Sequence, residues 1–325
     1  MNDMRALLGK DADTRLILTS HSIDNTFDSC ARKFEFLALY DKRPERESGY
    51  AADVGTALHE ATQAWLIKRA EDYSEAEATE HGFYTLMKWF PWDREREQPT
   101  GLRSFPMVCA MFYAIIRHPE WDDWELVRVK DHGWAVEVPF LVIHESLGDV
   151  MLKNAGVAAK LATQGKIDFI LRHRRTGQYR TLDLKTTMLS PDLERAEYTY
   201  SGQQIGYSNV MHAMVGVEPD QFTVSYIVAH FSMTEMPQVN FLELEKAPDL
   251  IDDYWMSKMD RLHRMKAYAE AGWFPRTNGS CHGWGKECTF FDICRSRDYD
   301  LINHWFDGIN AVPQKGYDYW VTLRV

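Results

Sequence analysis

The residues best suited to chemistry lie between Gly165 and Thr187, in the stretch GKIDFILRHRRTGQYRTLDLKTT. Two runs rich in β-branched and aromatic residues flank the turn-forming Arg175, Thr176, Gly177 and Gln178, a pattern that predicts a β-hairpin. With Thr176 and Gly177 at the tip, Asp168 faces Lys185 and lies diagonal to Asp183. Side chains alternate along a strand, so Asp183 and Lys185 share a face, and this register brings Asp168 onto it as well. A loop one residue longer or shorter would put Asp168 on the other face. Two carboxylates so placed repel one another unless a cation joins them. Hard oxygen ligands with open water positions suit Mg²⁺ or Mn²⁺. A lysine beside such a cation can orient or deprotonate water, or steady charge on a phosphorane. The bland alternative is an exposed hairpin with ordinary surface charges, since a D-x-K triplet arises easily by chance.

Further candidates flank the hairpin. Upstream, Gly55-Thr56-Ala57-Leu58-His59 puts an imidazole on a helix, where it could serve as another metal ligand. Downstream, Gln203 and Tyr207 are four apart and therefore on one helical face. The pieces VGTALHEA, GKIDFI, LDLKTT and SGQQIGYSNV follow one another in an order that resembles the RecB-type nucleases of the PD-(D/E)XK superfamily. The resemblance implies that His59, Asp168 and Asp183 bind a catalytic divalent metal, Mg²⁺ or Mn²⁺, with the backbone carbonyl of Leu184 as a further ligand. It makes Lys185 the active-site lysine, and Gln203 and Tyr207 a pair lining the DNA path. Glu137, in WAVEVPF, occupies the place of an acidic residue often found one strand before the metal-binding aspartate. Ile167 stands where the superfamily's name shows proline, and Asp183 where many members have glutamate; both variants occur in the RecB-type branch.

Of the five cysteines, Cys30 and Cys109 stand alone while Cys281, Cys288 and Cys294 crowd together. That rhythm fits no local zinc finger well. Four thiolates can instead hold an iron–sulfur cluster, with zinc and His282 as the alternative. The pattern resembles the cluster-bearing branch of the same nucleases, which includes CRISPR-associated adaptation exonucleases and the AddB nuclease domain. It implies a [4Fe–4S] cluster on Cys30, Cys281, Cys288 and Cys294, although Cys281 and Cys288 are further apart than in the commonest form of the motif. Cys109, in PMVCAMFYAII, reads as a core thiol.

These groups must be positioned by a sizeable fold. The 325 residues are 45% hydrophobic and 26% charged with 13% aromatics, which excludes a disordered, collagen-like or bare coiled-coil chain. Helices are expected over 22–40, 53–70, 80–90, 104–117, 201–214 and 249–271, and strands at WAVEVPFLVI, GKIDFILR, YRTLDLKTT and FTVSYIVAHF. The succession of three strands, a helix and a strand predicts an α/β fold, a central mixed sheet flanked by helices. By the resemblance it is restriction-endonuclease-like, with the cluster linking the N- and C-terminal parts. A single nuclease domain over 1–325 is expected, with a mainly helical part at 20–130, the core sheet and metal site at 131–235, and a helix and cluster-binding part at 236–325.

The net charge of −11 gives no global basic field, so phosphate binding must be local. Arg172, Arg174 and Arg175 at the hairpin tip, Arg180 after it, and Arg261, Arg264 and Lys266 on the late helix are the candidate contacts, with Trp284 and Phe290 as stacking platforms. The expected activity is phosphodiester hydrolysis of DNA by a metal-dependent nuclease. The resemblance favours an exonuclease on single-stranded ends in recombination, repair or phage DNA processing. No G-x-x-x-x-G-K-[S/T] loop occurs, so an ATP-driven helicase or recombination partner would be a separate protein. The competing class is a non-catalytic DNA-binding or assembly subunit. The N-terminal residues lack the apolar core of a signal peptide, and no run approaches the roughly 18 apolar residues of a membrane helix, so an intracellular, cytoplasmic protein with no membrane partner is expected.

Overall fold

The computed structural model describes residues 15–39, 49–97, 101–129, 133–153, 156–188, 198, 201–217, 222–232, 237–244, 248–283, 286–296 and 321–324. The described elements begin with strand β1 (Arg15–Thr19), helix α1 (His21–Ser29) and the short α2 (Ala31–Phe34). Three longer helices follow, α3 (Tyr50–Ala70), α4 (Glu75–Trp89) and α5 (Phe105–Ile116), and then the short α6 (Glu120–Asp123). The strands β2 (Trp124–Leu126), β3 (Arg128–Val129), β4 (Gly133–Trp134), β5 (Val136–Ile143) and β6 (Val150–Leu152) lead to the long pair β7 (Val157–His173) and β8 (Tyr179–Thr187). Helix α7 (Gly202–Val215), strands β9 (Phe222–His230) and β10 (Gln238–Leu244), and the long α8 (Pro248–Ala271) come next. Short β11 (His282–Gly283), β12 (Lys286–Glu287), α9 (Phe291–Ser296) and β13 (Val321–Arg324) complete the described elements.

The one helix expected over 22–40 is broken. Cys30 is extended, with φ −163° and ψ 108°, and α2 runs on into a π-helical turn at Glu35–Leu39. The N–H of Arg32 finds its acceptor in the carbonyl of Pro275 instead of in a preceding helical turn. A tertiary hydrogen bond therefore replaces the helical one that periodicity predicted.

The described residues form two compact units. One draws on 47–138 and 167–251 and holds a mixed sheet, an α/β arrangement flanked by helices. Strand β9 is antiparallel to β10 and parallel to β8, β8 is antiparallel to the end of β7, and β2 pairs antiparallel with Leu171 to His173. The parallel β8–β9 pair requires a crossover, and α7 supplies it. Alternation along β8 and β9 divides the two faces. Leu182, Leu184, Ile227 and Ala229 join the core made by Val54, Leu58, Trp65, Leu86 and Phe112 of α3, α4 and α5. On the opposite face Tyr226 donates its hydroxyl hydrogen bond to Ser201 at the start of α7 (2.6 Å).

Two glycines let these layers close. A Cβ on Gly55 would meet Thr186 Oγ1 at 3.1 Å, and one on Gly82 would sit 2.4 Å from Phe112 Cζ.

The other unit draws on 1–46, 139–166 and 252–325. In it β1 runs parallel to Ala159–Thr163 of β7, β6 antiparallel to Val157–Ala159, and β13 parallel to Phe140–Ile143 of β5. Its core joins Phe27, Phe34, Phe36, Leu161, Leu262, Met265 and Phe274. A buried polar chain crosses it. Lys258 Nζ donates to Asp24 Oδ2 (2.6 Å) and Thr19 Oγ1 (3.1 Å), Thr19 hydrogen-bonds Thr163 (3.0 Å), and Thr163 meets His144 Nε2 (2.9 Å). Among the described residues no helix is long and apolar enough to cross a membrane.

Candidate active site

The β7–β8 ladder pairs Phe169 with Leu182, Ile170 with Thr181 and Arg172 with Tyr179. This differs by two positions from the register expected with Thr176 and Gly177 at the tip, so Asp168, just beyond the ladder, stands opposite Asp183 and not Lys185. The turn is the cause. It runs from Arg174 to Gly177, closed by Gly177 at φ +73° and by the His173 ring, which accepts from the N–H groups of Arg175 (3.1 Å) and Thr176 (3.2 Å). Because the difference is even, both aspartates still belong to one face.

Past Phe169 the Asp168 carboxylate does the work of a ladder carbonyl, accepting the Leu184 N–H at 3.2 Å. Its Oδ2 also lies 2.6 Å from His59 Nε2. His59 is held on its other side by Gln63, one helical turn on, whose amide approaches His59 Nδ1 at 2.8 Å and donates to Glu137 Oε1 at 3.1 Å. Glu137 adopts φ +48°, a left-handed conformation that costs a non-glycine residue on the order of 1–2 kcal/mol. One ligand atom each from His59, Glu137 and Asp168 falls within 4.8 Å of the others, a group fit to hold a metal ion. Sequence reasoning missed Gln63; its signal is the four-residue spacing from His59.

Asp183 is buried beside this group. Its Oδ2 is 2.6 Å from Lys185 Nζ, and its Oδ1 accepts from the Gln203 amide at 3.1 Å. Gln203 also donates to the Tyr207 hydroxyl (2.9 Å) and offers its carbonyl to Lys185 (3.4 Å). Tyr207 is buried and meets the site through the hydrogen bond it accepts from Gln203.

The electrostatics divide the two carboxylates. Burial and then the negative charge of Asp168 push the Asp183 carboxyl up to about 7. Burial also works against ionised Asp168, but the hydrogen bond and charge of His59, with help from Lys185, hold it below the usual carboxylate range. His59 is desolvated, yet Asp168 and Glu137 raise its pKa, and Asp183 does the same for part-exposed Lys185. Acidic groups forced together until one retains its proton are the signature of a place where a cation belongs. Imidazole and carboxylate donors suit a divalent ion.

The basic residues fare less uniformly. Arg180 is no nucleic-acid contact: it is buried over the Trp124 ring between Glu120 and Glu243. Arg261 pairs with Asp28, Arg264 with Asp260, and Lys266 donates to the carbonyls of Leu147 and Asp149, so the late helix spends its charge on its own unit. Arg172 and Arg174 both reach Glu125 but remain 52% exposed, and Arg175 is exposed in the turn. Phe290 is buried against Phe36 with ring centroids 5.1 Å apart, which rules it out as a stacking platform. Trp284 lies outside the described residues.

Cys109 packs against the helical core, and burial pushes its thiol up. The other four cysteines belong to the unit that holds α8. The Cys288 N–H donates to the Cys281 carbonyl (2.8 Å), and the Ser280 hydroxyl to the carbonyl of Ser29, next to Cys30 (2.6 Å). Their sulfurs do not form a tight group of the kind seen at His59, Glu137 and Asp168.

A mixed sheet with helices on both faces, carrying paired acids and a lysine on neighbouring strands, defines a nuclease core. The sequence profile of the PD-(D/E)XK nuclease superfamily matches residues 19–295, and the chain belongs to that superfamily. Among solved structures it is similar to a candidate exonuclease from Eubacterium rectale, at 14% identity over 92% of this chain and 94% of the other with a TM-score of 0.46. A second is the protein SSO0001, at 15% identity over 76% and 96% with a TM-score of 0.28. A comparison with curated protein sequences finds no match.

Proposed function

We propose that this nuclease is a Mg²⁺- or Mn²⁺-dependent deoxyribonuclease that acts as an exonuclease on single-stranded DNA ends. The observation that carries the metal dependence is the convergence of His59, Glu137 and Asp168 within 4.8 Å, beside a second carboxyl held near neutral pKa. His59, Asp168, Asp183 and the Leu184 carbonyl would hold the ion, and Glu137 supports joining them. Such an ion supplies a polarised phosphoryl oxygen and a water acidic enough to attack at neutral pH. The chain's own groups do the rest. Gln63 fixes the His59 ring, and Gln203 fixes Asp183 and Lys185 together. Lys185 is held protonated by Asp183, so its role is to donate to a phosphate oxygen and offset the charge of the phosphorane, rather than to take a proton. Water adds to phosphorus in line and gives up a proton, the P–O bond to the leaving oxygen breaks, and that oxygen takes up a proton from solvent, so the net proton count is unchanged.

The exonuclease mode and the preference for single-stranded ends rest on the family resemblance, as do work beside a separate helicase or recombination partner and a cytoplasmic setting. For the same reason Cys30, Cys281, Cys288 and Cys294 are assigned to a [4Fe–4S] cluster. Two contacts support this: the Phe36–Phe290 rings, 5.1 Å apart, and the Ser280 hydroxyl on the Ser29 carbonyl tie the segment that carries Cys30 to the one that carries Cys281, Cys288 and Cys294. A brown anaerobic preparation containing iron and sulfide is expected; a colourless zinc protein would remove the cluster.

The activity test uses single and double strands labelled at either end, with Mn²⁺ or EDTA. Metal-dependent shortening from one end of the single strand, lost in Asp183→Ala, is expected. Degradation that persists in Asp183→Ala sinks the proposed site, and binding without any cleavage would make the chain a non-catalytic subunit.

A further inference from the structure

The unit that holds the acidic site also contains a cleft of about 400 Å³ that no step of hydrolysis uses. Arg69 of α3 and Arg128 of β3 line it together with Arg172 and Arg174 from the end of β7. Glu125 and Asp72 also line it and Arg69 is paired with Glu75 (3.5 Å), which leaves a surplus of one positive charge on a chain whose net charge is −11. Such a concentration of guanidinium groups is what an acidic protein needs at a place where phosphate is to be held.

The arginines are set out for use. Glu125 Oε1 accepts from Nε (3.0 Å) and Nη2 (2.5 Å) of Arg172, and its other oxygen from Arg174 (3.4 Å). One carboxylate thus orders two guanidinium groups that keep half their surface in solvent. Arg128 lies exposed over the Trp134 ring, 5.5 Å from its centroid, with Tyr179 across the cleft lining. Two part-exposed aromatic side chains among four arginines offer a flat base its stacking partner and a phosphodiester its fork. The volume lies near the lower end of the range for ligand pockets, about 300–1,000 Å³, which suits a unit of nucleotide size. Arg172 is four residues beyond Asp168 on β7, and Tyr179 four before Asp183 on β8, so the strand rise separates cleft from carboxylates by roughly 13 Å.

We propose that this cleft holds a nucleotide of the substrate strand a few units from the bond being cut, its phosphate on the arginines and its base against Trp134 or Tyr179. The identity of the strand as substrate rests on the nuclease reading, and the test separates the two. Binding of dye-labelled oligothymidylates of ~4 and ~16 nucleotides is followed by anisotropy in EDTA, where cleavage plays no part. Wild type is expected to bind the longer strand at least tenfold tighter. The Arg128→Ala/Arg174→Ala pair loses that gain, and its log K against log salt slope falls by roughly 0.7 for each phosphate contact removed. Trp134→Ala loses about tenfold on the long strand and Trp134→Phe restores it. Should the double variant fail to fold, Arg128→Gln alone carries the same test. Unchanged affinity and salt slope in these variants overturn the cleft while leaving the nuclease reading intact. Competition by a free mononucleotide as strong as by the long strand overturns it too. Conversely, a protein that never cleaves but whose long-strand binding still depends on Arg128 keeps the cleft and loses the nuclease.

Discussion

The Asp183 carboxyl, buried between Asp168, Lys185 and Gln203, has a consequence in the metal-free protein. Its pKa is raised from 3.8 to about 7, so the folded state favours the protonated form. The stability this group contributes is complete below pH 4 and is lost as pH rises to 7. In EDTA, denaturant titrations should show wild type weakening across that window, and Asp183→Asn should flatten the fall while abolishing cleavage. An unchanged pH profile in the variant would contradict the assignment. Gln63 makes a second residue-scale case. It touches His59 and Glu137 but reaches no substrate, and outer partners of metal ligands commonly matter by 10–100-fold. Gln63→Ala should lower activity by about that factor and weaken Mn²⁺ binding measured by calorimetry, with the melting temperature little changed. Full activity would show that the His59 ring needs no such restraint.

At the scale of elements, His59 is only as well placed as α3, which is held by α4 and α5. Gly82 is where α4 comes closest, its missing Cβ facing Phe112 Cζ at 2.4 Å and Trp65 Cβ at 3.2 Å. In an exposed helix alanine would gain about 1 kcal/mol over glycine. Here overpacking costs roughly 1–3 kcal/mol and wins, so Gly82→Ala should lower the melting temperature, whereas a rise would show that the layer can give. Helical periodicity in the sequence located α3, α4, α5, α7 and α8. It overran the break at Cys30 because the N–H of Arg32, at the start of α2, donates to the carbonyl of Pro275, far away in the chain. The hairpin was equally legible as a hairpin, but its register was not. Turn residues announce that a chain reverses; whether Gly177 or Thr176 takes the left-handed place is settled by the His173 ring and the strands around it.

For the whole molecule, pH acts through opposing groups. Burial and the charge of Lys258 depress His144 from 6.5 to about 4, so its share of stability is present above pH 6.5 and lost as pH falls to 4. That is about 3 kcal/mol for a side chain with 1% of its surface exposed. Denaturant titrations from pH 7 to 4 should show the decline in wild type and a shallower one in His144→Gln; identical slopes would remove the group from the account. The surplus of acid has a similarly local meaning. Arg180, Arg261 and Arg264 answer carboxylates of their own unit, and positive surplus gathers where Arg128, Arg172 and Arg174 meet. What the sequence by itself determined was the chemistry on offer: His59, Asp168, Asp183, Lys185, Gln203 and Tyr207 are recognisable by type, order and spacing because strand and helix periods are local properties. Only the tertiary structure decided that Asp168 opposes Asp183, that Gln63 ties His59 to Glu137 at a strained backbone position, and that Arg180 is a core ion-pair partner while Arg128 is exposed over Trp134. Those outcomes depend on which distant segments pack together, and the energy that selects them lies in long-range burial and charge pairing that a local pattern does not contain.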